Sequence, residues 1–439
     1  MQSFRPLSIV LALSAAFAAP VHAQSLADLY EAARGYDATF QSAKSQFDAT
    51  LAKAEQSRAG LLPTVNFGMT ASRTSLDPNI RVPTTAFGTQ SATVSASQPI
   101  YRPANRLTYE QAQKSVQVAQ AQLASAEQDL VLKVSQAYFD VLAAQDALTF
   151  VVAQKAAVAE QLASAKRNFE VGTSTITDTR EAQARFDLVV AQQIAAENDL
   201  RVKKIALDQL VGKTDVTPSP LAAPVALPPL LPADVNVWVG QAIDEHPLLR
   251  QSALALEVAQ LETRKAEAGN KPTLDLTGSY QIAHNDGSSN SAANSHINAA
   301  TVGLAFNLPL FAGYSIQNRI RETLALEDKA RTDLEAARRT VAQGTRTAFF
   351  GVLSGQGQVK ALEAAEASSQ SALDANKLGY QVGVRINIDV LNAQSQLFQT
   401  KRDLAKARYD VLLGGLKLRQ ANGTLKPEDL QAINALLVK

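Results

Sequence analysis

The chain has 439 residues, 46% of them apolar and 19% charged, with a formal charge of +1. Charge this balanced argues against a nucleic-acid partner, which leaves a basic excess, and the length suggests two or three domains. Cysteine is absent, which excludes a disulfide framework, a thiolate metal site and a cysteine nucleophile.

The N-terminus, "MQSFRPLSIVLALSAAFAAPVHAQS", places Arg5 before an apolar run from Leu7 to Ala19, and Val21 and Ala23 at the −3 and −1 positions of a small-residue cleavage site. This predicts a secretory signal peptide over 1–23, cut between Ala23 and Gln24. The alternative is an uncleaved anchor, but the run is short against the roughly 20 residues of a helical span. No other stretch reads as a transmembrane helix, so residence in a membrane falls to strands.

From Gln24 onward one pattern occurs twice. "LLPTVNFGMTASR" (61–73) answers "NKPTLDLTGSYQI" (270–282), "ATVSASQPIYRPANR" (92–106) answers "TVGLAFNLPLFAGYSIQNR" (301–319), and "LVGKT" (210–214) answers "QANGT" (420–424), at offsets of 209 to 211 residues. A near-constant offset indicates an internal tandem duplication, unlike a solenoid with many short periods. The first repeat is placed at 24–216, the second at 235–424 and a C-terminal segment at 425–439. Between the repeats, 217–234 contains "TPSPLAAPVALPPLLP", whose six prolines forbid helix and central strand.

Each repeat predicts helix, strand, loop, strand, very long helix, bend, helix. In 272–282, Leu274, Leu276, Gly278, Tyr280 and Ile282 alternate with Thr273, Asp275, Thr277, Ser279 and Gln281. In 300–310, Val302, Leu304, Phe306, Leu308 and Leu310 lie opposite Thr301, Gly303, Ala305 and Asn307. The first repeat is weaker, with Val65, Phe67 and Met69, then Val94 and Ile100. About 10–12 residues is the length of a tilted strand crossing a bilayer. The segments joining them, 74–90 and 283–298, are polar surface loops.

Between Pro103 and Glu170 there is no further proline and no glycine, which predicts a helix of about 100 Å. Its apolar seam runs Ala112, Val116, Ala119, Leu123, Ala126, Leu130 and on to Leu148, a heptad pattern with one extra step of four that locally unwinds a supercoil. The second repeat shows Ala330, Leu334, Ala337, Val341, Gly344 and Ala348, small enough for close approach. Four strands cannot close a spanning barrel, for which about eight are needed, and open edges are not tolerated in lipid. Strands that span must therefore be pooled from several chains, with the helices continuing the barrel as a hollow tube. A plain coiled-coil rod would leave the strands unexplained.

"FEVGTSTITDTREAQAR" (169–185) and "YQVGVRINIDVLNAQSQ" (380–396) each put Val-Gly before a bend, then Ile-x-Asp and a helix, with Asp178 and Asp389 being 211 residues apart. Gly172 and Gly383 are helix-ending glycines. Thr175-x-x-Asp178 has the form of a capping box, and an acid in the first turn stabilises a helix whatever else it does. Arg385 alone reads as a solvated charge.

With "PTLDLTGSYQI", "VGLAFNLPLFAGYSIQNRI", "VGTSTITD" and the stretch from "GYQVGVRINIDVLNAQSQ" to "QANGTL", the chain resembles the TolC family of outer-membrane exit channels over essentially the whole mature length. The resemblance implies an α+β membrane protein. Three copies would each give four strands to one outer-membrane β-barrel, continued by an α-helical coiled-coil tunnel in the periplasm of a Gram-negative bacterium. It further implies a passive channel subunit of a tripartite efflux or type I secretion system, conducting small molecules or unfolded proteins. The implied partners are further copies of itself, a periplasmic adaptor, an inner-membrane ABC or proton-driven pump, and outer-membrane lipid. Tyr380 and Arg385 match residues that tie the inner helix pair shut, and Thr177 and Asp178 match their partners on the outer pair. Asp389 matches an acid that rings the entrance. Asn392 stands where the family carries a second acid, so the resemblance implies one charged ring and a weakened divalent-cation block.

No enzyme and no cofactor is read from the residues. "VGKT" (211–214) lacks the earlier glycine of a phosphate loop, Leu207 standing there. His22, His246, His284 and His296 are scattered without metal-ligand spacing. The alternatives are a periplasmic adaptor, which should carry a lipoyl-like module, and a structural coiled coil, which should lack the strands.

Overall fold

The computed structural model describes residues 24–77, 79–222 and 224–438. The predicted signal peptide, with Ala23, lies outside the described residues. Helices α1 (Leu26–Tyr36) and α2 (Ala38–Arg58) and a 3₁₀ turn (Ala59–Leu61) lead to strands β1 (Thr64–Ser75) and β2 (Ala86–Tyr101), then to helices α3 (Pro103–Glu170) and α4 (Ile176–Val211). The order is then repeated: α5 (Val235–Glu245), α6 (Pro247–Ala268), β3 (Thr273–Asn285), β4 (Ser295–Asn307), α7 (Ser315–Gln381) and α8 (Asn387–Ala421), followed by a short α9 (Asp429–Asn434). The single opening helix read from sequence is two helices in each repeat. Asp37 breaks the first with an extended backbone, its Oδ1 accepting from Phe40 N at 2.8 Å and its Oδ2 from Lys133 Nζ at 2.7 Å. His246 breaks the second because it precedes Pro247, which disfavours helical backbone.

The chain forms two compact units. One, residues 43–124 and 247–340, holds a four-stranded antiparallel sheet in the order β1-β2-β3-β4. Register places Phe67 opposite Val94, Val94 opposite Tyr280, and Leu276 opposite Leu304. One face is therefore apolar along all four strands. The other pairs Thr70 with Ser91 and Ser95 with Ser279. The apolar face is uncovered in the single chain, with Phe67 67% and Val302 80% exposed. Among the described residues, β1 and β4 each pair on one side only. The strands run further into the loops than the sequence predicts, leaving 76–85 and 286–294, because polar cross-strand pairs such as Asn285 Nδ2 with Ser295 Oγ (3.1 Å) extend the ladder. At the other end β4 stops at Asn307, so Leu308 and Leu310 lie beyond it; Pro309 has no N–H to donate. There Arg102 Nε donates to Asp275 Oδ1 at 2.7 Å, joining the exit of β2 to β3.

The other unit, described over residues 24–42, 125–222, 224–246 and 341–438, is mainly helical. Val151, Val158 and Leu162 of α3 pack on Ala182 and Val189 of α4 and Leu391 of α8. Val359 of α7 packs on Leu404 and Val411 of α8. The proline-rich segment forms no helix, but it is fastened down: Tyr138 Oη donates to Ser219 O at 2.8 Å, and Leu227 and Leu230 insert between helical side chains. The seam of α7 departs from its predicted path at Gly344, which is exposed with open space where a Cβ would stand. Thr345 is buried instead and donates to Ala421 O at 2.8 Å. One stretch of α3 is, by composition, apolar enough to cross a membrane, contrary to the reading that only the leader is. Only 28% of that stretch is buried in the single chain.

Two glycines end the returning helices. Gly212 (φ 68°) lies against the Tyr36 ring, and Gly423 (φ 81°) against the His246 backbone, where a Cβ would come within 2.4 Å of Cα. Gly423→Ala combines left-handed strain with a clash against backbone and is expected to cost roughly 3 kcal/mol or more. Gly240→Ala, in open space within α5, is expected to be neutral or to stabilise by up to about 1 kcal/mol. Thermal midpoints of the two purified variants check the contrast.

Candidate functional site

The two bends have the same backbone. α3 ends with Gly172 at φ 80°, its N–H donating to Phe169 O at 3.0 Å, while Thr173 N donates to Asn168 O at 2.8 Å. α7 ends with Gly383 at φ 80°, its N–H donating to Tyr380 O at 3.1 Å, while Val384 N donates to Gly379 O at 2.9 Å. These paired bonds satisfy the last carbonyls of each helix, and only glycine takes the left-handed turn without strain.

The following helix starts differ. Thr175 caps α4: its Oγ1 accepts from Asp178 N at 3.2 Å, and Asp178 Oδ2 accepts from Thr175 N at 2.9 Å. Ile386 holds the same place before α8 and has no side chain to cap with. Asp389 is thereby left outside any capping box, 35% exposed, with Arg385 Nη1 3.8 Å from its Oδ2. A side chain missed from sequence does the joining here. Asn387, fully buried in the first turn of α8, donates to Asp178 O at 3.3 Å and accepts from Gln161 Nε2 of α3. It fastens the start of α8 to both helices of the first bend.

The residues singled out from sequence are close together but not paired as the resemblance implied. Tyr380 Oη accepts from Asn168 Nδ2 at 3.2 Å, and its ring packs against the cluster of Leu373, Val390 and Leu397. Arg385 reaches Asp389 and lies over Gly379, where a Cβ would come within 2.6 Å of its Cγ. Asp178 is held by Thr175, and the exposed Thr177 side chain bonds to none of the described residues. Within one chain, then, Tyr380 and Arg385 are tied to Asn168 and Asp389, not to Thr177 and Asp178. Asn392 is exposed and accepts from Arg185 Nη2 of α4 at 2.9 Å. The charged groups in these contacts are two acids, Asp178 and Asp389, and two arginines, Arg385 and Arg185. Gln24, on the far side of the predicted cut, is fixed by its N–H to Thr217 O at 2.9 Å.

Asn387 and Asn168 carried one usable signal, a short amide at a helix end where the duplicated partner has another residue. Arg185 carried none, because its contact joins residues 207 apart. The arrangement can make and break polar ties and set local charge. Asp178→Ala is expected to cost about 1 kcal/mol at the start of α4 and to speed amide exchange over 175–179. Asp389→Ala, removing a first-turn charge but no cap, is expected to speed exchange over 386–390 by less; hydrogen-exchange mass spectrometry reads both.

The model of the family described as outer membrane efflux protein matches residues 29–213 and 238–424. The outer membrane protein TolC of Vibrio cholerae is 33% identical over 439 residues, covering 99% of this chain and 98% of that one. The alkaline protease secretion protein AprF of Pseudomonas aeruginosa is 29% identical, covering 95% of this chain and 88% of that one. The crystal structure of the outer membrane protein VceC of Vibrio cholerae superposes with a TM-score of 0.77 over 91% of this chain and 96% of that one. At 18% identity it speaks to the fold alone.

Proposed function

The chain belongs to the outer membrane efflux protein family, and from that premise we propose that its paired bends are the closable inner end of a channel shared by three copies. The protein is an outer-membrane channel of the efflux and type I secretion kind. The observation that carries the trimer is the sheet. Four strands, an exposed apolar face and two unpaired edges suit one part of a closed barrel in lipid. The proposed organisation is two repeats, 24–216 and 235–424, joined by 217–234 and completed by 425–439, with the helices in the periplasm. The channel is passive and catalyses nothing; an adaptor and an inner-membrane pump supply recognition and energy.

At the bends, Tyr380 with Asn168 and Arg385 with Asp389 hold the resting state. Thr177 and Asp178 are, in this proposal, the groups that side chains of a neighbouring copy meet. The Tyr380 hydrogen bond is worth roughly 0.5–1.5 kcal/mol and the exposed Arg385–Asp389 pair about 0–1 kcal/mol, and several copies around an axis bias a two-state end. Asp389 is the constriction acid and Asn392 its uncharged companion.

Native mass measurement in detergent is expected to give three chains per particle; a monomer with intact channel activity would refute the assembly. In planar bilayers, Tyr380→Phe with Arg385→Ser is expected to raise single-channel conductance. Asp389→Ala is expected to abolish most block by divalent ions. Asn392→Asp alone is expected to tighten that block little, because Arg185 already sits 2.9 Å from this position and would pair with the new carboxylate. Asn392→Asp with Arg185→Gln is expected to tighten it strongly. Equal effects of the single and double variants would show that Arg185 does not act there.

A further inference from the structure

The antiparallel register of β3 and β4 sets His284 directly opposite His296, with ring centroids 6.1 Å apart. The two are 12 residues apart in sequence, a spacing with no metal signature; only the hairpin brings them together. Both lie on the face that carries Tyr280 and Ile282, at its loop end, and both are exposed. Asp286 follows on the same side. Its Oδ1 is 3.4 Å from His284 Nε2, well beyond the 2.7–2.9 Å typical of a charge-assisted hydrogen bond. With metal–ligand bonds of about 2.1 Å, the edge of a tetrahedral zinc shell is about 3.4 Å. The separation suits two ligands on one ion better than a donor and its acceptor.

The backbone of Asp286 is also held in place. Asp286 N donates to Gly88 O at 2.8 Å, and Asp286 Oδ2 lies 3.1 Å from where a Cβ on Gly88 would stand. Any larger residue at 88 would press on it. The three side chains do not converge on one point as they stand. Rotation of the exposed His296 about its side-chain bonds closes the set without moving the backbone, because directly opposite cross-strand residues have Cβ atoms only about 4.5–5.5 Å apart.

We propose that His284, His296 and Asp286 form a site for a borderline divalent transition metal, of the zinc, nickel or copper class, at the loop end of the β3–β4 hairpin. Two imidazoles and one carboxylate suit those ions and not magnesium or calcium, which prefer all-oxygen shells. Water completes the fourth position. Bound metal cross-links the two strands just before loop 286–294 and so restrains that loop. The proposal is independent of how the bends work.

The test uses untagged, chelator-stripped full-length protein in detergent, titrated with Zn2+ by calorimetry and with Co2+ by visible absorption. Wild type is expected to take up one equivalent per chain, to give a tetrahedral cobalt spectrum, and to be unaffected by millimolar Mg2+. His284→Asn and His296→Asn are each expected to weaken binding at least about tenfold, and Asp286→Asn and Gly88→Ala by less. All four positions lie at the sheet's loop end, and an unchanged thermal midpoint without metal verifies folding. Absence of saturable uptake by wild type, or wild-type affinity in the His284→Asn/His296→Asn double variant, overturns the site.

Discussion

Backbone hydrogen bonding in lipid is the constraint on which the rest of this molecule depends. A strand edge facing hydrocarbon leaves each N–H and C=O unpaired at a cost of several kcal/mol. This chain leaves two such edges, on β1 and β4, together with an uncovered apolar face. The open edges are intolerable in lipid and the apolar face is unfavourable in water, so neither medium suits one chain alone. The long helices, the tandem order and the packed proline-rich segment all belong to a subunit whose sheet, we propose, other copies complete.

The duplication shows how one backbone can serve two purposes. Both bends close with the same glycine turn and the same pair of helix-ending bonds. They diverge at one residue. Thr175 turns Asp178 inward to its own backbone, whereas Ile386 leaves Asp389 free to meet Arg385. An acid at the same repeat position is a structural cap in one copy and an available charge in the other. The buried Asn387 then joins the two copies through Asp178 O.

Some of the site was legible and some was not, for physical reasons. Gly172 and Gly383 were readable because left-handed backbone has few other occupants. The capping role of Asp178 was readable because the capping box is local, within four residues. Where Tyr380 and Asn392 point was not readable, since their partners Asn168 and Arg185 lie 212 and 207 residues away and follow from helix rotation. The seam shift at Gly344 is of the same kind: a step of three or four is equally allowed locally, and the packing of α7 on α8, with Thr345 reaching Ala421 O, selects one.

The sequence by itself determined the strand and helix identities, the tandem order, the bends and the apolar face of the sheet. Each of these is set by periodicity, by proline and glycine, or by interactions a few residues apart. Only the tertiary structure decided strand register, the fastening of the proline-rich segment and the long-range side-chain partners at the bends. It also decided the meeting of His284 with His296. These depend on contacts between residues far apart in the chain, where local propensity is silent and packing geometry chooses among alternatives of nearly equal local energy.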